Sequence, residues 1–600
     1  MTSSEIHRVQ FARPAIDAWA ALDRRRTNWP VVYVIDDLDG AGQDSGRLAQ
    51  VYVGESLNAR SRMHQHLDSG TKPGLRTVRV VMGDEFNKSV CLDLESYLIR
   101  LFAGDGAYTV LNLNGGITDA DYFRRDDYRA SFPTIFEELR REGLFTRSIA
   151  EIENSDLFKL SPFKALTPDQ AIAIEDILEG LFADVEAGEG STIVIQGSAG
   201  TGKTVVGVYL MKLLKDIGAA TPDDILDSDW MFSEFYAEGY RELAENLRVG
   251  LVVPQQSLRE SIRRVFRRTP RLSPSMVLSP FDVGKATEPF DLLIVDEAHR
   301  LSQRANQPSA MQNIDFARIN EHLFGVDDPA RTQLDWITAQ STHQIFLVDV
   351  AQSVRPADLR RRVLDDLAAG ARAKSRLYPL TTQMRVRAGE DYVGYVRDVL
   401  DPAHARRPVE PRPFAEYDLR FFGNLAHMRD AIIALDGEKG LARLVAGYAW
   451  RWRSRKDPEA YDIELDGVHL RWNSTDKDWI NAPGSINEVG SIHTVQGYDL
   501  NYAGVIVGPE LRFDPRAGRL FLDRGSYYDT RGKQNNPQLG LVYTDDDLLD
   551  YVRNIYGVLL TRGMLGTFVY VCDPSLRTYL RPFFDQSRPG ALEQLRDTGP

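Results

Sequence analysis

The feature that most narrowly restricts what this chain can fold into is one run of eight residues: Gly197, Ser198, Ala199, Gly200, Thr201, Gly202, Lys203 and Thr204. The run has the pattern G-x-x-x-x-G-K-[ST]. It lies directly after the apolar stretch STIVIQG (191–197) and directly before the helical pattern VVGVYLMKLLK (205–215). Strand, glycine-rich turn and helix start, in that order, aim backbone N–H groups and the positive helix end at phosphates. Lys203 is expected to reach the β- and γ-phosphates of ATP, and Thr204 to hold Mg²⁺.

Further along, LLIVDEAH (292–299) reads as a buried strand ending on two carboxylates. Phosphoryl transfer to water needs one of them, Asp296, to position the hydrated metal. The other, Glu297, orients or deprotonates the attacking water. RVGLVVP (248–254), FDLLIVD (290–296) and HQIFLVD (343–349) have the continuous apolar character of parallel strands covered on both faces. A second set follows in LYPLT (377–381), VGSIHT (489–494), YAGVIVG (502–508) and GTFVYVC (566–572). Two α/β sheets in tandem are the economical reading.

Six hundred residues exceed what one hydrophobic core organises, so several domains are expected. A hydrophobic share of 43% with 26% charged residues is that of an ordinary globular protein. No apolar run approaches the roughly 18 residues of a membrane span, and the opening MTSSEIHRVQFARP lacks the apolar centre of a secretory signal. Two cysteines, Cys91 and Cys572, exclude a disulfide framework and a cysteine zinc site, so a reducing, cytoplasmic setting is expected. The net charge of −14 argues against nonspecific coating of nucleic acid but leaves room for one basic channel.

From about residue 160 to 580 the chain resembles superfamily 1 helicases, and within them the Schlafen-like DNA/RNA helicase domains. The resemblance rests on ordered motifs: LTPDQ (166–170), VVPQQS (252–257), LVDVAQ (347–352), QMR (383–385), SIHTVQG (491–497) and NIYGVLLTRG (554–563). It implies that Gln170 reads the adenine edge and Gln352 senses the γ-phosphate. It also implies that Gln496 and Gly497 border the nucleotide, and that Arg385 and Arg562 face the phosphate from the second sheet. Arginines delivered across a cleft stabilise the transferring phosphoryl group only on closure, and a closing cleft that grips a strand becomes a stepping motor. The run from Arg259 to Arg268 could track phosphates or be a solvated face. The tryptophans at 450, 452, 472 and 479, in an insertion at about 436–486, could stack on bases or fill a core.

The first segment resembles GIY-YIG nucleases. VVY (31–33) stands for the first tripeptide, with Val in place of Gly, and YVG (52–54) for the second. Implied roles follow: Tyr33, with Tyr52 or His66, activates water; Arg62 binds the scissile phosphate; Glu95 holds Mg²⁺ or Mn²⁺. Asn114 or Asn112 closes the motif. The expected fold class is thus α/β: a small α+β GIY-YIG-like nuclease domain (1–120), a helical connector (121–160) and two tandem RecA-like P-loop NTPase lobes (161–375 and 376–600). The expected partner is DNA, or RNA, with genome defence or repair as the use of such a fusion.

Overall fold

The computed structural model describes residues 4–38, 48–70, 72, 74–113, 115, 121–221, 232–304, 307, 309–349, 352, 354–401, 409–475, 479–495 and 498–585. Its contacts divide the chain into two compact units. One comprises Met1–Gly190, Thr204–Leu251 and Glu260–Val277; the other comprises Ser191–Lys203, Val252–Arg259 and Leu278–Pro600.

The first unit is built around a five-stranded sheet of β1 (Ser4–Gln10), β2 (Val31–Asp36), β3 (Ala49–Ser56), β4 (Thr77–Gly83) and β5 (Tyr108–Val110). The spatial order is β1-β4-β2-β3-β5. Strand periodicity sends Val32 and Val34 to one face and Val31, Tyr33 and Ile35 to the other, and both faces are covered. The helix Ala59–Ser69 contributes Ala59 and Met63 to the Tyr33 face, and the helix Lys88–Asp105 contributes Leu94, Leu98 and Phe102 to the opposite one. Both helices begin on an asparagine cap, Asn58 accepting from the Ser61 N–H and Asn87 from the Val90 N–H. The polar stretch expected as a connector contributes to this core. Phe132, Ile135, Phe136 and Leu139 of the helix Phe132–Arg141 are buried in the same cluster as Leu98 and Phe102. Their 3–4-residue spacing gives that helix one apolar stripe inside an otherwise charged sequence.

In the second unit, β6 (Thr192–Gly197), β7 (Phe290–Val295), β8 (Ser341–Val348) and β9 (Leu377–Leu380) form a parallel array in the order β9-β6-β8-β7. The same unit holds a seven-stranded sheet of β10 (Asp418–Phe421), β11 (Ala442–Ala446), β12 (Ile463–Leu465), β13 (Val468–Trp472), β14 (Glu488–Ser491), β15 (Leu500–Val507) and β16 (Gly563–Val571). Its order is β10-β16-β15-β11-β14-β13-β12, parallel except for the terminal hairpin β12–β13. The architecture is mixed α/β with parallel sheets. These units do not follow the four expected segments: residues 204–251 and 260–277 of the expected first lobe fall in the first unit, while both parallel arrays fall in the second.

Candidate functional site

Two polar clusters stand at strand ends, one in each unit. In the second unit, β6 runs out at Gly197 into a loop whose Gly200 (φ 90°) and Gly202 (φ 77°) adopt left-handed conformations. A Cβ at Gly200 would lie 2.0 Å from Gln383 Oε1, so glycine is required there by conformation and by space. Lys203 is buried and its Nζ donates to the carbonyls of Gly197 and Ser198, each at 2.8 Å, while standing 3.7 Å from the Asp349 carboxylate. Ser198, Ala199 and Thr201 complete the loop between them. Thr204 is the second residue of the helix Lys203–Gly218.

Asp296 and Glu297 follow β7 and are both buried. Glu297 holds φ 50°, a left-handed conformation rare for a residue with a side chain and a frequent mark of a functional position. Burial opposes its ionisation. The neighbouring His299, Lys203 and Arg300 outweigh that and hold its carboxyl below the usual range. His299 Nε2 stands 2.9 Å from the carboxylate, and its Nδ1 faces the Asp349 N–H at 3.4 Å. At the end of β8, Gln352 Nε2 donates to Asp349 Oδ2 at 2.6 Å, while the buried Gln352 Oε1 has no hydrogen-bond partner among the described residues.

The segment after β9 folds onto the loop. Gln383 Nε2 donates to Ala199 O at 2.8 Å, and the Met384 N–H donates to Gly200 O at 2.9 Å. Arg385 pairs with Asp499. Arg562, at the start of β16's turn, is buried and donates to Tyr498 O at 3.0 Å. Burial, and then the charge of Arg385, lower its pKa to about 9. Both expected arginines therefore reach the neighbourhood of the loop and of Glu297. Asp499, which sequence reasoning passed over, supplies the counter-charge. A cavity of about 920 Å³ opens here, lined by Gly197, Ala199, Gln352, Thr381, Asn554 and Thr561 among others.

These groups fit a magnesium nucleotide: backbone donors at a helix start, an amine, one strand-end carboxylate pair and two guanidinium groups. No set of three or more His, Cys, Asp or Glu ligands exists among the described residues.

Gln170 is buried at the start of a helix. It is the third residue of the helix Pro168–Ala187, and its Oε1 accepts the Thr167 N–H at 3.0 Å in a reciprocal capping box. Gln496, Gly497 and Asn114 lie outside the described residues. The arginine-rich run 259–268 is partly tied into structure: Arg263 donates to Val277 O at 2.9 Å and Arg264 to Asp156 at 2.6 Å. Trp472 and Trp479 are core residues, and Trp450 and Trp452 are half-buried against one of those cores.

In the first unit, Tyr33 on β2 and Gly54 on β3 are register partners. A Cβ at Gly54 would lie 2.4 Å from Tyr33 Oη, so the glycine makes room for the phenol. His66 Nε2 is 2.8 Å from Tyr33 Oη, and Tyr52 meets the His66 ring edge-on at 5.0 Å. Burial, then the charges of Lys72 and Arg62, lower the His66 pKa to about 2. Lys72 Nζ lies 2.7 Å from His66 Nδ1 and 3.5 Å from the Tyr52 ring centre. An ammonium only donates, so the neutral ring carries its proton on Nε2 and donates it to Tyr33 Oη.

Burial, then the charge of Tyr52, push the Tyr33 phenol far up. Arg62 and Glu95 are close enough to act on it in opposite directions. Asn112 clamps β3 from a buried position, accepting the Val53 N–H at 3.1 Å and donating to Val53 O at 2.7 Å. Lys72 had no signal in the sequence; only the fold brings the loop after helix 59–69 back over Tyr52.

Three comparisons with known proteins bear on these sites. The family model described as Schlafen group 3, DNA/RNA helicase domain matches residues 190–573. An uncharacterized protein of Saccharomyces cerevisiae is 26% identical over 422 residues, which are 65% of this chain and 84% of that one. Replication factor C small subunit 2 of Pyrobaculum aerophilum is 24% identical over 185 residues, covering 30% of this chain and 47%, about half, of that relative. Among solved structures, that of Pif1 helicase from Bacteroides in complex with ADP-AlF3 and ssDNA aligns at 12% identity. It covers 72% of this chain and 97% of the other, at a TM-score of 0.24. No helix among the described residues is long and apolar enough to cross a membrane.

Proposed function

This chain belongs to the Schlafen group 3 DNA/RNA helicase domain family, and from that premise we propose that it is an ATP-hydrolysing motor on nucleic acid, carrying a metal-dependent endonuclease of the GIY-YIG kind at its N-terminus. The observation that carries the motor reading is the convergence of Arg385 and Arg562 on the neighbourhood of the glycine loop and Glu297. Two guanidinium groups packed near each other, with Asp499 as counter-charge, await an anion that both can share. Lys203 would exchange two loop carbonyls for phosphate oxygens. Glu297, held ionised by His299, would accept a hydrogen bond from water aimed at the γ-phosphorus. Mg²⁺, held through Asp296 and Thr204, would supply charge neutralisation at the β- and γ-phosphates. Gln352 Oε1, buried without a hydrogen-bond partner among the described residues, is suited to sense that water or phosphate.

The nuclease reading rests on the cluster at β2 and β3. Tyr33, whose Oη accepts the His66 N–H, would orient the attacking water by a hydrogen bond, with Tyr52 beside it, while Arg62 would neutralise the scissile phosphate. Glu95 would hold Mg²⁺ or Mn²⁺, which supplies the Lewis acid. DNA is the proposed substrate, with RNA as the competing track, and the cytoplasm as the setting. Genome defence is the proposed use, with DNA repair as the competitor.

The test incubates the protein with plasmid, single-stranded DNA and RNA, with and without ATP and Mg²⁺ or Mn²⁺, beside Glu95→Ala and Lys203→Ala. Cutting is expected to vanish in Glu95→Ala, and ATP turnover to fall by about 100-fold or more in Lys203→Ala. ATP turnover that no nucleic acid stimulates would sink the motor reading. Turnover without cutting would reduce the N-terminal unit to a binding module of a nucleotide-driven switch.

A further inference from the structure

The insertion between β11 and β14 contains the run Tyr448-Ala-Trp-Arg-Trp-Arg-Ser-Arg-Lys456, in which Arg451, Arg453, Arg455 and Lys456 are all exposed and no acidic residue intervenes. A run of exposed cations is ordinarily a mobile, solvated surface. This one is held in shape. The buried Asp462 carboxylate accepts the N–H groups of Arg453 (2.5 Å) and Ser454 (2.9 Å), the Ser454 hydroxyl (2.5 Å) and the Trp472 N–H of β13 (2.8 Å). Four charge-assisted hydrogen bonds to one buried carboxylate fix the backbone, so the arginine side chains project from a rigid base.

Aromatic faces lie among these cations. Trp450 and Trp452 are half-buried, packed in part on the core of the second sheet. Arg455 lies 5.6 Å from the Trp452 ring centre. Arg451 and Lys533 lie 5.5 and 6.0 Å from the centre of Tyr528, whose N–H donates to Tyr448 O at 2.7 Å. The patch joins a motif already described. Asp529, beside Tyr528, stands 3.3 Å from His493 Nε2, and the His493 ring packs 5.4 Å from that of Tyr448.

We propose that Trp450–Lys456, with Tyr528 and Lys533, is a contact site for single-stranded nucleic acid, its cations taking phosphates and its half-buried rings taking bases. The charge is complementary to a polyanion in a chain whose overall charge is −14, so attraction there is local rather than global. Interleaved arginine and aromatic side chains are what a strand without sequence preference requires, because every base has a stacking face and every nucleotide a phosphate. A preorganised loop binds without the entropy cost of ordering itself. The link through Asp529 and Tyr448 to His493 places the patch where occupancy can be felt at the SIHTVQG motif. The inference rests on the reading of the chain as a nucleic-acid motor.

Fluorescence anisotropy with labelled oligo-dT and oligo-rU, over a range of salt, tests it. The full-length chain is compared with Arg451→Gln/Arg453→Gln/Arg455→Gln and with the single variant Arg451→Gln, and thermal melting reports the fold of each. The triple variant is expected to melt as the parent does and to bind at least about 10-fold more weakly near 0.1 M salt. Its slope of log affinity against log salt should shrink by about 2, at roughly 0.7 per lost phosphate contact. The single variant should shift in the same sense by less, and decides the matter if the triple variant melts early. Variants that bind with the parent's affinity and slope would overturn the site and leave the motor reading intact. A parent that binds neither oligonucleotide would overturn both. A preference for one oligonucleotide identifies the track as DNA or RNA.

Discussion

The two polar clusters solve burial in opposite ways. Around Tyr33 the buried groups are mostly neutral: a phenol pushed far up in pKa and an imidazole that resists protonation, with Lys72 at its edge. Around the glycine loop they are mostly ionised: Lys203, Asp349, Glu297 and Arg562 are buried, with the Arg385–Asp499 pair beside them. Buried neutral groups need only hydrogen bonds, such as the one between His66 and Tyr33. Buried charges need partners of opposite sign. Arg385 and Arg562 share Asp499, and Glu297 also acts on Arg562, so this cluster depends on the balance of its charges. The first cluster is therefore sensitive to shape and to pH, the second to the balance of its charges.

Arg562→Ala should have the largest effect on that comparison. If Arg562 meets the transferring phosphoryl group, ATP turnover falls by about 1,000-fold or more. Relief of the repulsion from Arg385 is expected to offset the lost hydrogen bond to Tyr498 O and the space left behind, so that thermal stability changes little. Steady-state turnover and melting, measured on one preparation, separate the two. A variant that loses stability and turnover together would show Arg562 to be a structural residue bonded to Tyr498, and the contrast between the clusters would fail.

Next in size is Gly54→Ala. No left-handed conformation is required of Gly54. The demand is spatial, since the added methyl would sit 2.4 Å from Tyr33 Oη and 2.6 Å from Cζ, with the tyrosine fully buried. Overpacking of that kind costs about 1–3 kcal/mol. Denaturant unfolding followed in the N-terminal unit should show that loss, with ATP turnover retained. Unaltered unfolding would mean that the phenol can retreat and that the cluster is not shape-limited.

Parts of both clusters were legible in the sequence because they depend on local spacing. The glycine loop between strand and helix, the strand-end pair Asp296–Glu297 and the tripeptides at 31–33 and 52–54 are all short-range signals, whereas the pairing of Tyr33 with Gly54 is set by the sheet. Gln170 carried two signals at once. Thr167-Pro-Asp-Gln170 has the spacing of a capping box as well as of an adenine-reading element, and the capping box is formed. Lys72 and Asp499 were illegible because each finds its partners through the tertiary fold. Lys72 lies six residues beyond His66 in a turn, and Asp499 lies 114 residues from Arg385. Asp462 was hidden for the same reason, as a single carboxylate gathering donors from residues 453, 454 and 472.

The smallest effect is the pH dependence of the neutral cluster. His66 has an ordinary value of 6.5 and is held at about 2 in the fold, first by burial and then by Lys72 and Arg62. The folded state therefore disfavours the proton that the unfolded chain accepts. Above pH 6.5 neither state binds it, and His66 contributes no pH dependence. Below that, the unfolded chain gains the proton alone, and stability falls by about 1.4 kcal/mol per pH unit from this group. His66→Gln keeps a hydrogen-bonding side chain beside Tyr33 and removes the titration. Its unfolding free energy between pH 6.5 and 5 should be flatter than the parent's by about 2 kcal/mol over the interval. Equal slopes would mean that the imidazole is protonated in the folded chain. In that case Lys72 cannot be donating to Nδ1, and the distinction between a neutral and an ionic cluster dissolves at the residue on which it most depends.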